Sequence, residues 1–282
     1  MNFSELGLGI ELAALTLAGV SILMLVLHRC LVVRRRRLLH GNIEQLQVLR
    51  GLLADLQCHR GLSTGLLSGD KRLRQDVTST CDRLDRSIRY AQTLDGSHAE
   101  RWQSITRQWQ AVRNVHGRDL AVNLMAHNKI IGDTIFLIED IYAERDLCAD
   151  SAELGYLVCI WREVVQTAEW SGQARALGTG IAATRSSSVD QRVRLRFLHQ
   201  KIGELSDLAF EHLEQGFADT HKLSACREAV KGFLASLESE LLSTDRPSIE
   251  AKQYFDQATG AINQLFGLVD CALLDLKRIH GA

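Results

Sequence analysis

"LQVLRGLLADLQCHRGLSTGLL", Leu46 to Leu67, decides the fold. Leu46, Val48, Leu49, Leu52, Leu53 and Leu56 recur at helical spacing and mark one apolar face. The end of the run, Leu56 to Leu67, then places a single arginine, Arg60, among the small residues Gly61, Ser63, Thr64 and Gly65. A guanidinium keeps its proton, so an Arg on a buried helix face must find a counter-charge. Within its own helix Arg60 has only Asp55, five residues back and poorly placed. "SGDK", Ser68 to Lys71, reads as the stop, with Gly69 near the C-terminal cap and Asp70 opening the next helix.

The same reading extends along the chain. Helices are predicted over about 71–94, from Ala99, over about 119–147, over about 152–185, onward to about Phe217, over about 222–242, and to about Ile279. "DGSH" (Asp95–His98), "NVHGRD" (Asn114–Asp119, with Gly117 as a turn or kink), "CADSAE" (Cys148–Glu153) and "STDRPS" (Ser243–Ser248) separate them. "SSSVD", Ser186 to Asp190, is a polar break with an N-cap candidate. Pro247, the one proline, fits the first turn of the last helix. No Val/Ile/Thr run alternates with period two. The expected class is all-α: two packed four-helix bundles, about 42–148 and about 151–280, after a single transmembrane helix.

That first helix is the N-terminal exception to an average composition. "LAALTLAGVSILMLVL", Leu12 to Leu27, carries no charge and, with "LGLGI" before it, can cross about 30 Å of hydrocarbon. Glu5 and Glu11 lie on one side; His28, Arg29 and Arg34 to Arg37 lie on the other. The positive-inside rule puts the N-terminus outside and the part after residue 37 in the cytoplasm, as in a bacterial-type inner membrane. A cleaved signal peptide would need a basic leader, which is missing. Residues 1–37 are therefore assigned to the anchor and 38–282 to the folded part.

Thirty-three Lys and Arg against 34 Asp and Glu leave a formal net charge of -1, which argues against nucleic acid as a partner. Seven scattered Cys without a CxxC pair read as free thiols. No P-loop, HExxH or dinucleotide loop is present, so no enzyme is expected, and no cofactor. His199 and His212 share a face with no second good ligand, so no metal site is expected either.

The two halves repeat each other. "RGLSTGLL" from Arg60 aligns with "RALGTGIA" from Arg175, an offset of 175 − 60 = 115 residues. Arg60 matches Arg175, Thr64 matches Thr179, and Gly65 matches Gly180. In each copy Arg and Thr sit at i and i+4 on one helix face. Rows of small residues, Gly61–Gly65–Gly69 and Gly172–Ala176–Gly180, let another helix come close. Glu169, six residues before Arg175, is badly placed to pair with it in that helix, though an acid from another helix could serve either Arg. If the two Args meet across the halves, a small planar anion between them would be held by forks of N–H donors. Arg60, Arg175, Thr64 and Thr179 are the candidate anion-binding residues.

"LQCHRGLSTGLL" resembles the opening signature of the nitrate- and nitrite-sensing (NIT) domain family. "AEWSGQARALGTGI", Ala168 to Ile181, resembles its second signature, and "YFDQATGAINQLFGLVD", Tyr254 to Asp270, its closing helix. His59 and Ala174 stand where the family has Glu, and Ala261 where the closing helix often carries a basic residue. The resemblance implies two helical bundles holding nitrate or nitrite between arginines, here Arg60 and Arg175. The family's sensing part is usually joined to an output segment, and none is recognisable up to Ala282. Signalling is then expected through a partner or by assembly, a second copy of the chain included. The alternative left open is an interaction scaffold of the same fold that has lost anion binding.

Overall fold

The computed structural model describes residues 3–94, 98–115, 119–143 and 154–280, with side chains from residue 15 onward. Among these residues there are eight α-helices and no strand. They are α1 (Phe3–Leu67), α2 (Arg74–Ala91), α3 (Ala99–Val112), α4 (Leu120–Ala143), α5 (Val165–Thr184), α6 (Val189–Glu214), α7 (Thr220–Leu237) and α8 (Ala251–His280). Helix α5 is led in by one turn, Leu157–Cys159, and a π turn, Ile160–Val164. The expected breaks at Gly117 and at Cys148–Glu153 fall outside the described residues, as does the expected break Asp95–His98 except for its last residue.

The expected stops hold where they are described. Gly69 adopts φ +111°, and Asp70 N–H donates to the Gly65 carbonyl at 3.1 Å, closing the end of α1. The Asp70 carboxylate then accepts from Arg72 N–H to start the next turn. In the break before α6, Ser188 and Gln191 form a reciprocal capping box. Pro247 corrects the sequence reading. It lies four residues before α8 rather than in its first turn, because the Glu250 carbonyl accepts the first α8 bond, from Tyr254 N–H. Pro247 and Ile249 are instead buried on either side of exposed Ser248.

The apolar N-terminal segment and the first core helix are one element. Helix α1 has 65 residues, about 100 Å at 1.5 Å per residue, and no break at residue 37. From Leu15 it is long and apolar enough to cross a membrane, and Leu15, Leu17, Ile22 and Leu25 are more than 60 % exposed. Beyond the exposed Arg34–Arg37 cluster the helix enters the core through Ile43, Leu46, Leu49, Leu52, Leu53 and Leu56, all fully buried.

This inner half of α1 lies between the two sets of helices. It packs on α2 and α4 from one side and on α5 and α8 from the other. Helices α5, α6, α7 and α8 each pack on the next, and α8 returns to α5. One apolar cluster runs through both sets, from Trp109 and Ile138 to Phe210 and Leu265. Helices α1 and α5, which carry the two repeat copies, run parallel: Arg60 lies by Gly172 and Thr64 by Gly180.

Candidate functional site

The α1–α5 contact is built on absent side chains. A Cβ on Gly65 would sit 2.8 Å from Thr179 Cγ2, and one on Gly180 would sit 3.2 Å from Thr64 Cγ2. The matched Thr–Gly pairs of the repeat therefore interlock reciprocally. A Cβ on Gly172 would lie 2.7 Å from Arg60 Nη2, and one on Gly61 3.4 Å from Arg175 Nε. Each arginine thus lies in the space that a glycine of the opposite helix leaves open. Both are buried, at 0 % and 2 % exposure.

Their partners differ. Arg60 meets an acid from the other half: Nη1 donates to Glu169 Oε1 at 2.7 Å and Nη2 to Glu169 Oε2 at 3.1 Å. Its Nη1 also donates to Asn128 Oδ1 of α4 at 2.7 Å. Glu169 accepts further bonds from Gln57 at 3.0 Å and Gln173 at 2.9 Å. A bidentate, multiply hydrogen-bonded pair of this kind is what makes a buried carboxylate tolerable.

Among the described residues Arg175 has no carboxylate partner. Its Nη1 donates to Thr259 Oγ1 at 2.8 Å, and its guanidinium carbon stands 4.7 Å from the centre of the Phe255 ring. Nε and Nη2 are buried with no hydrogen-bond partner. Burial pushes this guanidinium below its ordinary value and the nearby Arg60 charge adds to that, while Cys58 and Glu169 act against it. Counting Arg60, Arg175 and Glu169 as +1, +1 and −1, the cluster carries one uncompensated positive charge.

Thr64 and Thr179 stand one turn beyond their arginines. The Thr64 hydroxyl donates to the Arg60 carbonyl at 2.7 Å and the Thr179 hydroxyl to the Arg175 carbonyl at 2.6 Å. Their protons are used within their own helices, while their methyl groups meet the opposite glycines.

A buried polar stack supports Arg60 from the α4 side. His59 Nδ1 lies 2.8 Å from His127 Nε2, and His127 Nδ1 lies 2.7 Å from the Asn123 carbonyl, which can only accept. Neutral imidazoles would therefore pass hydrogen bonds in one direction, from His59 to His127 to Asn123. Asn123 Nδ2 in turn donates to Ser63 Oγ at 3.0 Å, next to the Arg60 carbonyl. On the α8 side Tyr254, fully buried, donates to the Ala174 carbonyl at 3.1 Å and lies against Gly178.

Two openings lead inward. A cavity of about 120 Å³ between α4, α5 and α6 is lined by Asn128 and Gln173, the residues bonded to Arg60 and Glu169. A second, of about 190 Å³, is lined by Arg83, Lys252 and Phe255, the ring under Arg175. Residues that the sequence reading did not single out, Glu169 as partner of Arg60, Asn128, Phe255 and Thr259, thus complete the cluster. Elsewhere, His212 does gain neighbours with metal-ligand chemistry, because Cys159 and Glu163 reach it from another element.

The all-α fold is that of a known class of sensing domain. The NIT family, described as nitrate and nitrite sensing, matches residues 51–277, and the chain belongs to it. Among solved structures, that of the NasR transcription antiterminator is similar, with a TM-score of 0.65 at 19 % identity over 93 % of this chain and 74 % of that one. Comparison with curated proteins gives no match.

Proposed function

We propose that the chain is a membrane-tethered sensor that binds nitrate or nitrite at the α1–α5 contact, with Arg175 as the principal ligand and Arg60 beside it. The observation that carries this reading is the charge of Arg175: buried, without a carboxylate, and with Nε and Nη2 unpartnered. Those two donors lie on one edge of a planar fork, the geometry that grips two oxygens of a planar monoanion. One such anion brings the cluster to neutrality. An isolated buried cation is costly, so the empty site is strained relative to the filled one. Thr64 and Thr179 flank the anion, and their hydroxyls would join it only by releasing their helix carbonyls.

Ligand binding then reaches the membrane along α1. The helix that carries Arg60 is the helix that carries the apolar span, without a break. An anion that competes with Glu169 for Arg60 shifts the population between two settings of α1 against α5. With Arg34–Arg37 on the cytoplasmic side, the bundles lie in the cytoplasm and pass the change to a partner protein or a second copy of the chain.

The Arg60–Glu169 pair favours a second reading. It holds the two halves together without a ligand, as an interaction scaffold would require. Calorimetric titration of the full chain in detergent, in chloride-free buffer, separates the two. The sensor gives saturable heat with nitrate or nitrite, weakened at least tenfold in Arg175→Ala. The scaffold gives none with a folded protein.

A further inference from the structure

A second side-chain cluster lies in the second half, remote from both arginines along α5. Cys159 ends the turn that leads into α5, Glu163 lies four residues on in the π turn, and His212 occupies the last turn of α6. Helix α5 runs parallel to α1, so this is the end nearest the apolar span. The Cys159 sulfur, a Glu163 carboxylate oxygen and a His212 ring nitrogen all lie within 4.8 Å of one another. A cavity of about 430 Å³, lined also by Gly155 and Arg162, opens onto all three.

Independent of the spacing, Glu163 Oε2 is buried and has no hydrogen-bond partner. A carboxylate oxygen withdrawn from water without a donor is an unfavourable arrangement that a bound cation removes. The π turn is a second local irregularity at the same place, and such turns concentrate at functional sites. The Cys159 thiol reaches the Ala209 carbonyl at 3.5 Å.

We infer that Cys159, Glu163 and His212 bind one zinc-class divalent cation, with a fourth position open to the cavity. The donor set selects the ion. Thiolate, imidazole and carboxylate are all zinc ligands, whereas a thiolate disfavours magnesium and calcium. Thiolate and carboxylate together cancel the ion's two charges. Tetrahedral bonds of about 2.0–2.3 Å put ligand atoms about 3.3–3.8 Å apart, so the cluster closes by about 1 Å on binding. His212 is exposed at a helix end and free to supply that movement. Burial, with the Glu163 charge in support, pushes the Cys159 thiol up to about 12, so the ion displaces a proton at neutral pH. The bound ion would staple the lead-in of α5 to the end of α6. This inference does not depend on the anion reading.

The test uses the full chain in detergent, stripped of metal. Zinc is titrated in competition with a chromophoric chelator, and cobalt is added as the spectroscopic stand-in. The expected result is one equivalent of zinc, with about one proton released, and a thiolate-to-cobalt charge-transfer band in the near ultraviolet. Cys159→Ser should abolish the band, and His212→Ala and Glu163→Gln should each weaken zinc at least tenfold with circular dichroism unchanged. Should Cys159→Ser fail to fold, the exposed His212 variant decides alone. Absence of stoichiometric binding overturns the inference, as does zinc affinity undiminished in His212→Ala.

Discussion

Arg60 and Arg175 hold matched positions in the two copies of the repeat, yet one is closed and the other open. Arg60 spends its fork on a carboxylate from the opposite copy and on Asn128. Arg175 has a hydroxyl, an aromatic face and two idle donors. Duplication alone would give a symmetric pair. Glu169 breaks that symmetry, because its equivalent in the first copy, 115 residues earlier, is Ala54. The structural ion pair therefore spans the two halves, whereas the unsatisfied charge, Arg175, belongs to the second half alone. Sensing needs both, a contact that holds and a charge that asks for a ligand.

The contrast predicts stability effects of opposite sign. Arg60→Ala strands Glu169 as a buried, unpaired charge and should cost about 3–5 kcal/mol in denaturant unfolding. Arg175→Met removes a charge that has no carboxylate bonded to it among the described residues. In anion-free buffer it should be neutral or more stable than wild type by up to about 4 kcal/mol, while nitrate binding is lost. A destabilised Arg175→Met protein would mean that the two arginines are equivalent after all.

Smaller effects sharpen the packing side of the comparison. Gly65→Ala drives a methyl against Leu73 Cδ1 and Thr179 Cγ2, at 2.5 and 2.8 Å, and should cost about 1–3 kcal/mol. Gly51→Ala, in the same helix with nothing within 4 Å, should instead stabilise by about 0.5–1 kcal/mol. Thr64→Val and Thr179→Val keep a methyl against each glycine and remove only a hydroxyl bonded to its own helix. Both should stay within about 1 kcal/mol of wild type, with nitrate affinity measured by calorimetry unchanged.

Local signals in the sequence located most of the fold. Gly69 and the Ser186–Asp190 break end and start helices as their chemistry requires, and the leucine spacing from Leu46 finds the core face of α1. Pro247 misled because a proline suits both a first helical turn and the extended segment before one, and only the Glu250–Tyr254 bond distinguishes them. The unbroken α1 is hidden by the change from apolar to basic residues near Arg34, a change of composition rather than of backbone. For the site, the repeat made both arginines legible and the glycine rows foretold the close approach. The wiring was not legible. Glu169 sits six residues from one arginine and 109 from the other, and its choice depends on how α1 lies against α5. Sequence spacing carries no record of that. The neighbours of His212 are illegible for the same reason, since they come from a different element.

Under the proposed function the uncompensated Arg175 charge is the anion site. Thermal unfolding of the full chain, with and without nitrate in chloride-free buffer, tests it when wild type and Arg175→Met are compared. At nitrate near one hundred times Kd, wild type should rise by about 5–10 °C, the shift expected from about 2.7 kcal/mol of ligand stabilisation in a domain of this size. Arg175→Met, starting at or above the wild-type midpoint, should not move. A variant that gains as much from nitrate as wild type does would contradict the account.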